Sequence, residues 1–424
     1  RQAQAEVLGY KNFVELSMET KMAGSLENVQ ATIEAHLNRQ YCESTPSDRL
    51  KKLTDRRGFR EATVEKVTAC VYSSGSQNGG FRFAEFDVKL MFALALVCSL
   101  WGDRHYARAC GKANLCSAVP SVLSFYATKS VPERFDHTLD CPWAVHFFLR
   151  KTVFASGHQT QNGSSPRTTG RSVTLGTLPV ANLVFSFQPP LLGRPSLLSY
   201  ADVCTLFRKF GHTLQHCLTR TRYAEVSGLS GVEWDLVEAC PNVCEMLLSQ
   251  HPVVAAVSGH VDDGRPLSAE LHAKLHGAKT HMVALDLCWE LYYSCLDLEL
   301  YSKREFWQDI CSRLWPQFIP LPRDKRDCHL CSFTPITVGD FPAAYFSFLW
   351  SKMVAADIFG AFRQAGFAEG SEVDHVGERF RETFLELGGS CEGSEVFRRF
   401  MGRDPSPESL LAAYGLQSKQ PLEP

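Results

Sequence analysis

The sequence predicts a mainly α-helical protein, and three patterns carry that expectation. Over residues 2–37 apolar positions recur three and four apart, as Val7, Leu8 and Phe13 and then Val29, Ile33 and Leu37, the spacing that lines one helix face. Residues 374–387 repeat the rhythm and stop at Gly388-Gly389, a helix terminator. Ser406-Pro407-Glu408-Ser409 sets a capping hydroxyl before a first-turn proline and predicts a last helix through Leu410, Leu411 and Tyr414.

Other elements follow in chain order. Segments 72–80 (YSSGSQNGG) and 156–172 (SGHQTQNGSSPRTTGRS) are rich in Gly, Ser, Asn and Gln and read as flexible surface loops, neither with the pattern of a phosphate loop. Residues 179–187 (PVANLVFSF) form a short β-rich run stopped by Pro189-Pro190, which predicts an edge strand. In 197–250, Ser199 caps a helix with Val203, Leu206, Phe207, Phe210 and Leu214 on its apolar side, and a second helix carries Glu238 into Met246 and Leu247. No internal repeat is visible. The chain divides into a helical part over 1–150, a loop and edge strand over 151–196, and a helical core over 197–424.

A chain of 424 residues can bury a large core, which excludes a small disulfide or zinc scaffold. Its 44 basic and 46 acidic side chains carry no overall nucleic-acid footprint. The apolar run 90–101 ends at Gly102-Asp103, short of the ~20 residues that cross a bilayer, so no membrane span is expected. Sixteen cysteines without a repeating spacing favour reduced thiols over a disulfide framework. The first residue is Arg1 and not Met, so further sequence upstream is expected.

The segment Thr205-Leu-Phe-Arg-Lys-Phe-Gly-His212, followed by Val226-Ser-Gly228, Ser230-Gly-Val232, Trp234-Asp235 and Val237-Glu238, resembles the M3 family of zinc oligopeptidases. That group includes thimet oligopeptidase, oligopeptidase A and mitochondrial intermediate peptidase types, and the pattern is nearest the oligopeptidase A branch. Leu8-Gly-Tyr-Lys-Asn-Phe13 with Lys21-Met-Ala23, Leu178-Pro-Val-Ala181, Ser258-Gly-His260 with Gly264-Arg-Pro-Leu267, and Ala344-Tyr-Phe-Ser-Phe-Leu-Trp350 are similar to further family segments. The resemblance implies an M3 metallopeptidase-like, zincin-like helical fold with a small β-sheet beside the former active site. It also implies that the N-terminal part of the family fold is missing.

The family's chemistry needs two histidines four apart on a helix to hold zinc, a glutamate between them as general base, and a distal glutamate ligand. By this resemblance the four positions are Arg208, Lys209, His212 and Glu238. Arginine offers no lone pair to a metal, and two remaining ligands are fewer than the three of a catalytic zinc site. Zinc is therefore expected to be lost, with Arg208 pairing in bidentate fashion with Glu238 in its place. Lys209 could act as a base only if burial lowered its pKa greatly.

The resemblance also implies a substrate-binding loop whose histidine and tyrosines supply donors to the developing oxyanion. Here those positions are Pro335, Phe341, Tyr345 and Phe348, of which only Tyr345 keeps a hydroxyl. The loop's glycine-rich stretch has become Val338-Gly-Asp-Phe-Pro342, which puts its hinge flexibility in doubt. A competing metal reading is a four-thiolate site from Cys240, Cys244, Cys328 and Cys331, set against the simpler reading of core thiols. His216, His272, His276 and His281 are expected to be solvated or singly hydrogen-bonded. Lys303-Arg304 and Arg323 with Lys325-Arg326 read as solvated basic loops.

The expected function is that of a noncatalytic M3-like pseudoenzyme without a cofactor. Its expected role is structural subunit or assembly factor in a larger complex, with protein subunits covering the exposed channel wall and an RNA-containing assembly as one form. The mitochondrial matrix is the favoured location and the cytoplasm the alternative. Two other functions stay open: a peptide-binding protein using Tyr345 and the strand near residues 183–187, and a metallo-oligopeptidase with substituted ligands.

Overall fold

The computed structural model describes residues 1–40, 81–83, 123–126, 144–149, 179–185, 198–260, 265–319, 321–324, 326–367 and 372–416. Helices α1 (Gln2–Val7), α2 (Phe13–Met18) and α3 (Leu26–Gln40) open the chain. Strands β1 (Phe81–Phe83), β2 (Leu123–Tyr126), β3 (Ala144–Leu149) and β4 (Val180–Phe185) follow. The core is then built from α4 (Tyr200–Leu218), α5 (Ala239–Leu247), α6 (His251–Val257), β5 (Ser258–His260), α7 (Ala269–Thr280), α8 (Val283–Ser302) and α9 (Trp307–Phe318). Two short helices, α10 (His329–Ser332) and α11 (Thr334–Thr337), lead into α12 (Ser347–Ala365). The last helices are α13 (Val373–Phe380), α14 (Gly393–Met401) and α15 (Pro407–Ala413). The mainly helical expectation holds.

Local sequence explains most boundaries. The continuous rhythm over 2–37 is cut into three helices because Gly9 and Gly24 take positive φ of 89° and 71°, and the Asn12 side chain accepts from Glu15 N to start α2. Ser199 caps α4 with a complete capping box, its hydroxyl facing Asp202 N and the Asp202 carboxylate accepting from Ser199 N. Ser406 caps α15 by accepting from Glu408 N. The helix expected over 374–387 ends earlier than the pattern suggests: α13 gives way at Arg381 to a wide π-type turn, Arg381–Leu385, and Gly388 turns away at φ 51°.

The stretch 1–150 holds strands as well as helices, a departure from the all-helical expectation. β2, β3 and β4 form a parallel sheet in which Leu123 pairs with Val145 and Ala144 with Val180. β4 has a partner on one side among the described strands, the edge position expected for residues 179–187, and it packs along α4. β1 and β5 pair antiparallel, Phe81 opposite His260. The expected loops 72–80 and 156–172 lie outside the described residues. No helix among the described residues is long and apolar enough to cross a membrane.

One core runs through the helical elements. α4 buries Val203, Leu206, Phe207, Phe210 and Leu214, α5 buries Val243 and Leu247, and α12 buries Leu349, Met353, Val354 and Ile358. α5 lies between α4 and α12. The α4–α5 crossing is unusually close at Gly211, where a Cβ would meet Pro241 Cα at 2.6 Å and Cys240 O at 3.0 Å, and the Cys240 thiol donates to Gly211 O at 3.1 Å. A mid-helix glycine ordinarily costs ~1 kcal/mol relative to alanine, yet here only glycine permits the contact.

Two buried carboxylates tie distant segments to this core. Asp297 of α8 accepts from the backbone N–H groups of Ala343, Ala344 and Tyr345 at 2.8, 2.9 and 2.9 Å, although burial pushes its carboxyl up to about 7. Those three bonds hold a loop in which Ala343 sits at φ 55°, a conformation unfavourable for a residue with a Cβ. Asp235, which burial pushes up to about 6, accepts from Met22 N and Ala23 N at 2.8 and 3.0 Å, fixing the segment between α2 and α3.

Two outcomes test this account. Gly211→Ala is expected to lose about 1–3 kcal/mol in denaturant unfolding, the overpacking cost exceeding the gain in helix propensity. Asp297→Asn places an amide donor among three backbone donors and is expected to lose about 2 kcal/mol; unchanged stability would refute the role given to Asp297.

Candidate functional site

The site is assembled where the outer face of α4 meets the start of α5. Residues 208, 209 and 212 lie within just over one turn of α4, on the side away from its buried stripe, and Glu238 occupies the residue before α5. Glu238 arrives there because the loop 219–238 is pinned at both ends. Gly228 N donates to Thr219 Oγ1 at 3.1 Å, Asp235 binds the Met22–Ala23 backbone, and Ser351 of α12 donates to Asp235 O at 2.5 Å.

The Glu238 carboxylate is divided between two partners. Arg208 directs both Nε and Nη2 to Oε2, at 3.3 and 3.0 Å, while His212 Nε2 lies 3.3 Å from Oε1. The expected Arg208–Glu238 pair is present, and its geometry is two donors on one oxygen, with the other oxygen left to the histidine. The guanidinium also reaches Glu245 at 3.6 Å, and Lys279 bonds the same glutamate at 2.8 Å. Burial raises the Glu238 carboxyl, but the His212 hydrogen bond and the charges of His212, Arg208 and Lys209 overcome it and hold the group down at about 2.

This donor set does not fit a catalytic zinc ion. His212 and Glu238 are two ligating side chains, the carboxylate oxygen facing α4 is already engaged by a cation, and among the described residues no group of three or more His, Cys, Asp or Glu converges.

The four-thiolate alternative is not assembled. Cys240 and Cys244 are buried in α5, and burial drives the Cys240 thiol well above its ordinary pKa, whereas Cys328 and Cys331 are exposed around α10. All ten cysteines among the described residues are free. The other histidines make ordinary contacts: His272 is buried with Nε2 3.0 Å from Leu248 O, and burial lowers His276. The short basic runs are paired, Lys303 with Glu299, Arg304 with the distant Glu6 and Arg326 with Asp324, and Arg323 donates to Ser312 Oγ; Lys325 lies outside the described residues.

The loop leading into α12 presents rings more than donors. Phe341 packs on Phe348 at 4.6 Å between centroids and against Trp234 at 5.6 Å, and Tyr345 meets Phe348 at 5.3 Å, Phe333 at 5.4 Å and Tyr293 at 5.9 Å. Burial pushes the Tyr345 phenol up to about 12, so it stays protonated. Pro335 stands in the first turn of α11, where the carbonyls of Thr334 and Pro335 accept from Val338, Gly339 and Phe341. These bonds tie 338–342 down, in keeping with the doubt about a hinge there. The clamping roles of Asp235 and Asp297 escaped the sequence reading; the only local signal was Asp235 in the Trp-Asp pair.

Because the folded-state value of Glu238 lies below its ordinary 4.5, the stability it contributes is present above that value and is lost as pH falls toward about 2. Unfolding measured from pH 6 to pH 2.5 is expected to lose up to about 3 kcal/mol from this group, and Glu238→Gln should remove that part of the dependence.

Residues 150–416 match the model of peptidase family M3. The chain is 30% identical to the probable cytosolic oligopeptidase A of Arabidopsis thaliana over 98% of its own length and 60% of that protein. It is 29% identical to the organellar (chloroplastic/mitochondrial) oligopeptidase A of the same plant over 98% of this chain and 54% of that one. It is 35% identical to oligopeptidase A of Escherichia coli over 56% of this chain and 35% of the bacterial protein. The chain thus spans 60% or less of the length of these relatives.

Proposed function

The chain belongs to peptidase family M3, and from that premise we propose that it is a noncatalytic member serving as a structural subunit or assembly factor of a larger complex, without zinc. The observation that carries this reading is the Arg208–Glu238–His212 arrangement. A fixed guanidinium neutralises the carboxylate from within 3.0 Å, at the place where the family resemblance puts metal chemistry. A side chain with pKa above ~12 can compensate a largely buried charge but can neither ligate a metal nor accept a proton from water. The loop supports the same reading, since Phe341 and Phe348 supply packing where an oxyanion needs O–H or N–H donors.

The location proposed is the mitochondrial matrix, with the cytosol as alternative; relatives named for an organelle and for the cytosol are similar over nearly the whole chain. A second reading, noncatalytic peptide binding, draws on the aromatic wall of Trp234, Phe341, Phe348 and Tyr345, in which Trp234 is 37% exposed.

A quenched-fluorescence peptide assay with added zinc tests the proposal. The unmodified protein is expected to show no metal-dependent cleavage and no stoichiometric zinc. Arg208→His/Lys209→Glu is expected to gain zinc binding, measured calorimetrically. Cleavage by the unmodified chain that a chelator abolishes would overturn the reading.

A further inference from the structure

Cys328 and Cys331 stand apart from the buried thiols. Both are exposed, in the sequence Asp327-Cys-His-Leu-Cys331, and Cys331 N donates to Cys328 O at 2.8 Å. A turn closed by such a bond holds its end Cα atoms under about 7 Å apart, a span that overlaps the ~4.4–6.8 Å of disulfide bridges. The turn is fixed before any bond forms. His329 N donates to Asp327 Oδ1 at 2.9 Å, the Asp327 Oδ2 to His329 Nδ1 distance is 2.8 Å, and His329 Nε2 lies 3.1 Å from the Tyr292 hydroxyl. Ring closure therefore sacrifices little chain freedom, which favours an internal bridge over a lasting adduct with a second molecule.

We propose that Cys328 and Cys331 form a reversible dithiol–disulfide couple that exchanges with low-molecular-weight disulfides of the glutathione type. In the first step one thiolate attacks the small disulfide, forming a mixed disulfide and releasing one thiol. In the second the other thiolate attacks the protein sulfur of that mixed disulfide and releases the second thiol. Two protein thiols are oxidised, one small disulfide is reduced to two thiols, and the two protons leave with them.

The bridge would act on the site loop through one residue. Phe333 follows α10 directly, and its ring stacks on Tyr293 at 4.0 Å and 10° and meets Tyr345 at 5.4 Å. Closing the turn adds a covalent link at the base of that stack, which in the reduced form is held by hydrogen bonds, the buried Leu330 and the packing of the His329 ring. Nothing in this couple depends on whether the Arg208 site is catalytic.

The test is equilibration of the native chain in mixtures of reduced and oxidised glutathione, followed by rapid acid quench, alkylation and peptide mass mapping. The expected result is a peptide in which Cys328 and Cys331 are joined and two hydrogens are lost, reversed by a dithiol reductant, with Cys240 and Cys244 alkylated only after denaturation. Cys331→Ser is expected to accumulate a glutathione adduct on Cys328 that the unmodified chain does not retain. Stable adducts on both cysteines of the unmodified chain would overturn the proposal. So would a bridge from Cys331 to the neighbouring buried Cys311, or the absence of any oxidation at glutathione ratios that oxidise a control dithiol peptide.

Discussion

The approach of α4 to α5 at Gly211 is the contact on which the rest of the site depends. Helices carrying ordinary side chains pack with axes 8–10 Å apart, and a bare Cα facing Pro241 and Cys240 lets this pair come unusually close. That closeness puts Glu238 beside Arg208 and His212 and lets one carboxylate satisfy both. It also seals Cys240 and Cys244 inside the interface, so that their thiols belong to the packing of α5. A lateral displacement of one ångström would leave a largely buried carboxylate without its hydrogen bonds, a heavier penalty than any one apolar contact at the crossing.

Around that crossing the chain uses carboxylates as backbone clamps. Asp235 and Asp297 are both buried, and each binds N–H groups that belong to no helix. Such groups left alone in the interior would each cost of the order of 1–3 kcal/mol, so these acids make two irregular segments compatible with a dry core. Asp357 plays a comparable part in the middle of α12, where Arg403 reaches both of its oxygens at 2.6 Å and Ser406 N and Ser409 Oγ complete the set. In all three places the charge serves geometry.

What the sequence made legible divides along the range of the interactions. Ser199 and Ser406 mark helix starts through local backbone chemistry, and each does so where expected. The Arg208–Glu238 pair was legible because two residue types of opposite charge fell on elements with readable faces. The three-way split of residues 2–37 was less so, since Gly9 and Gly24 are tolerated inside a helical rhythm and only their positive φ shows them to be breaks. β1 to β3 were missed for a different reason: the pairings that define them, such as β3 with β4 or β1 with β5, join stretches far apart in sequence. Asp235 and Asp297 look like any other acids until the backbone they bind is brought to them.

The anchoring of the first helices carries a kinetic meaning as well. Met22 and Ala23 bond to a carboxylate 213 and 212 positions downstream, and Ser17 Oγ donates to Ala343 O across 326 positions. During synthesis at ~5–20 residues per second, those partners are made about 10 to 65 seconds after the segments they bind. Until then this stretch lacks those contacts, so its docking follows the synthesis of residues 235 and 343.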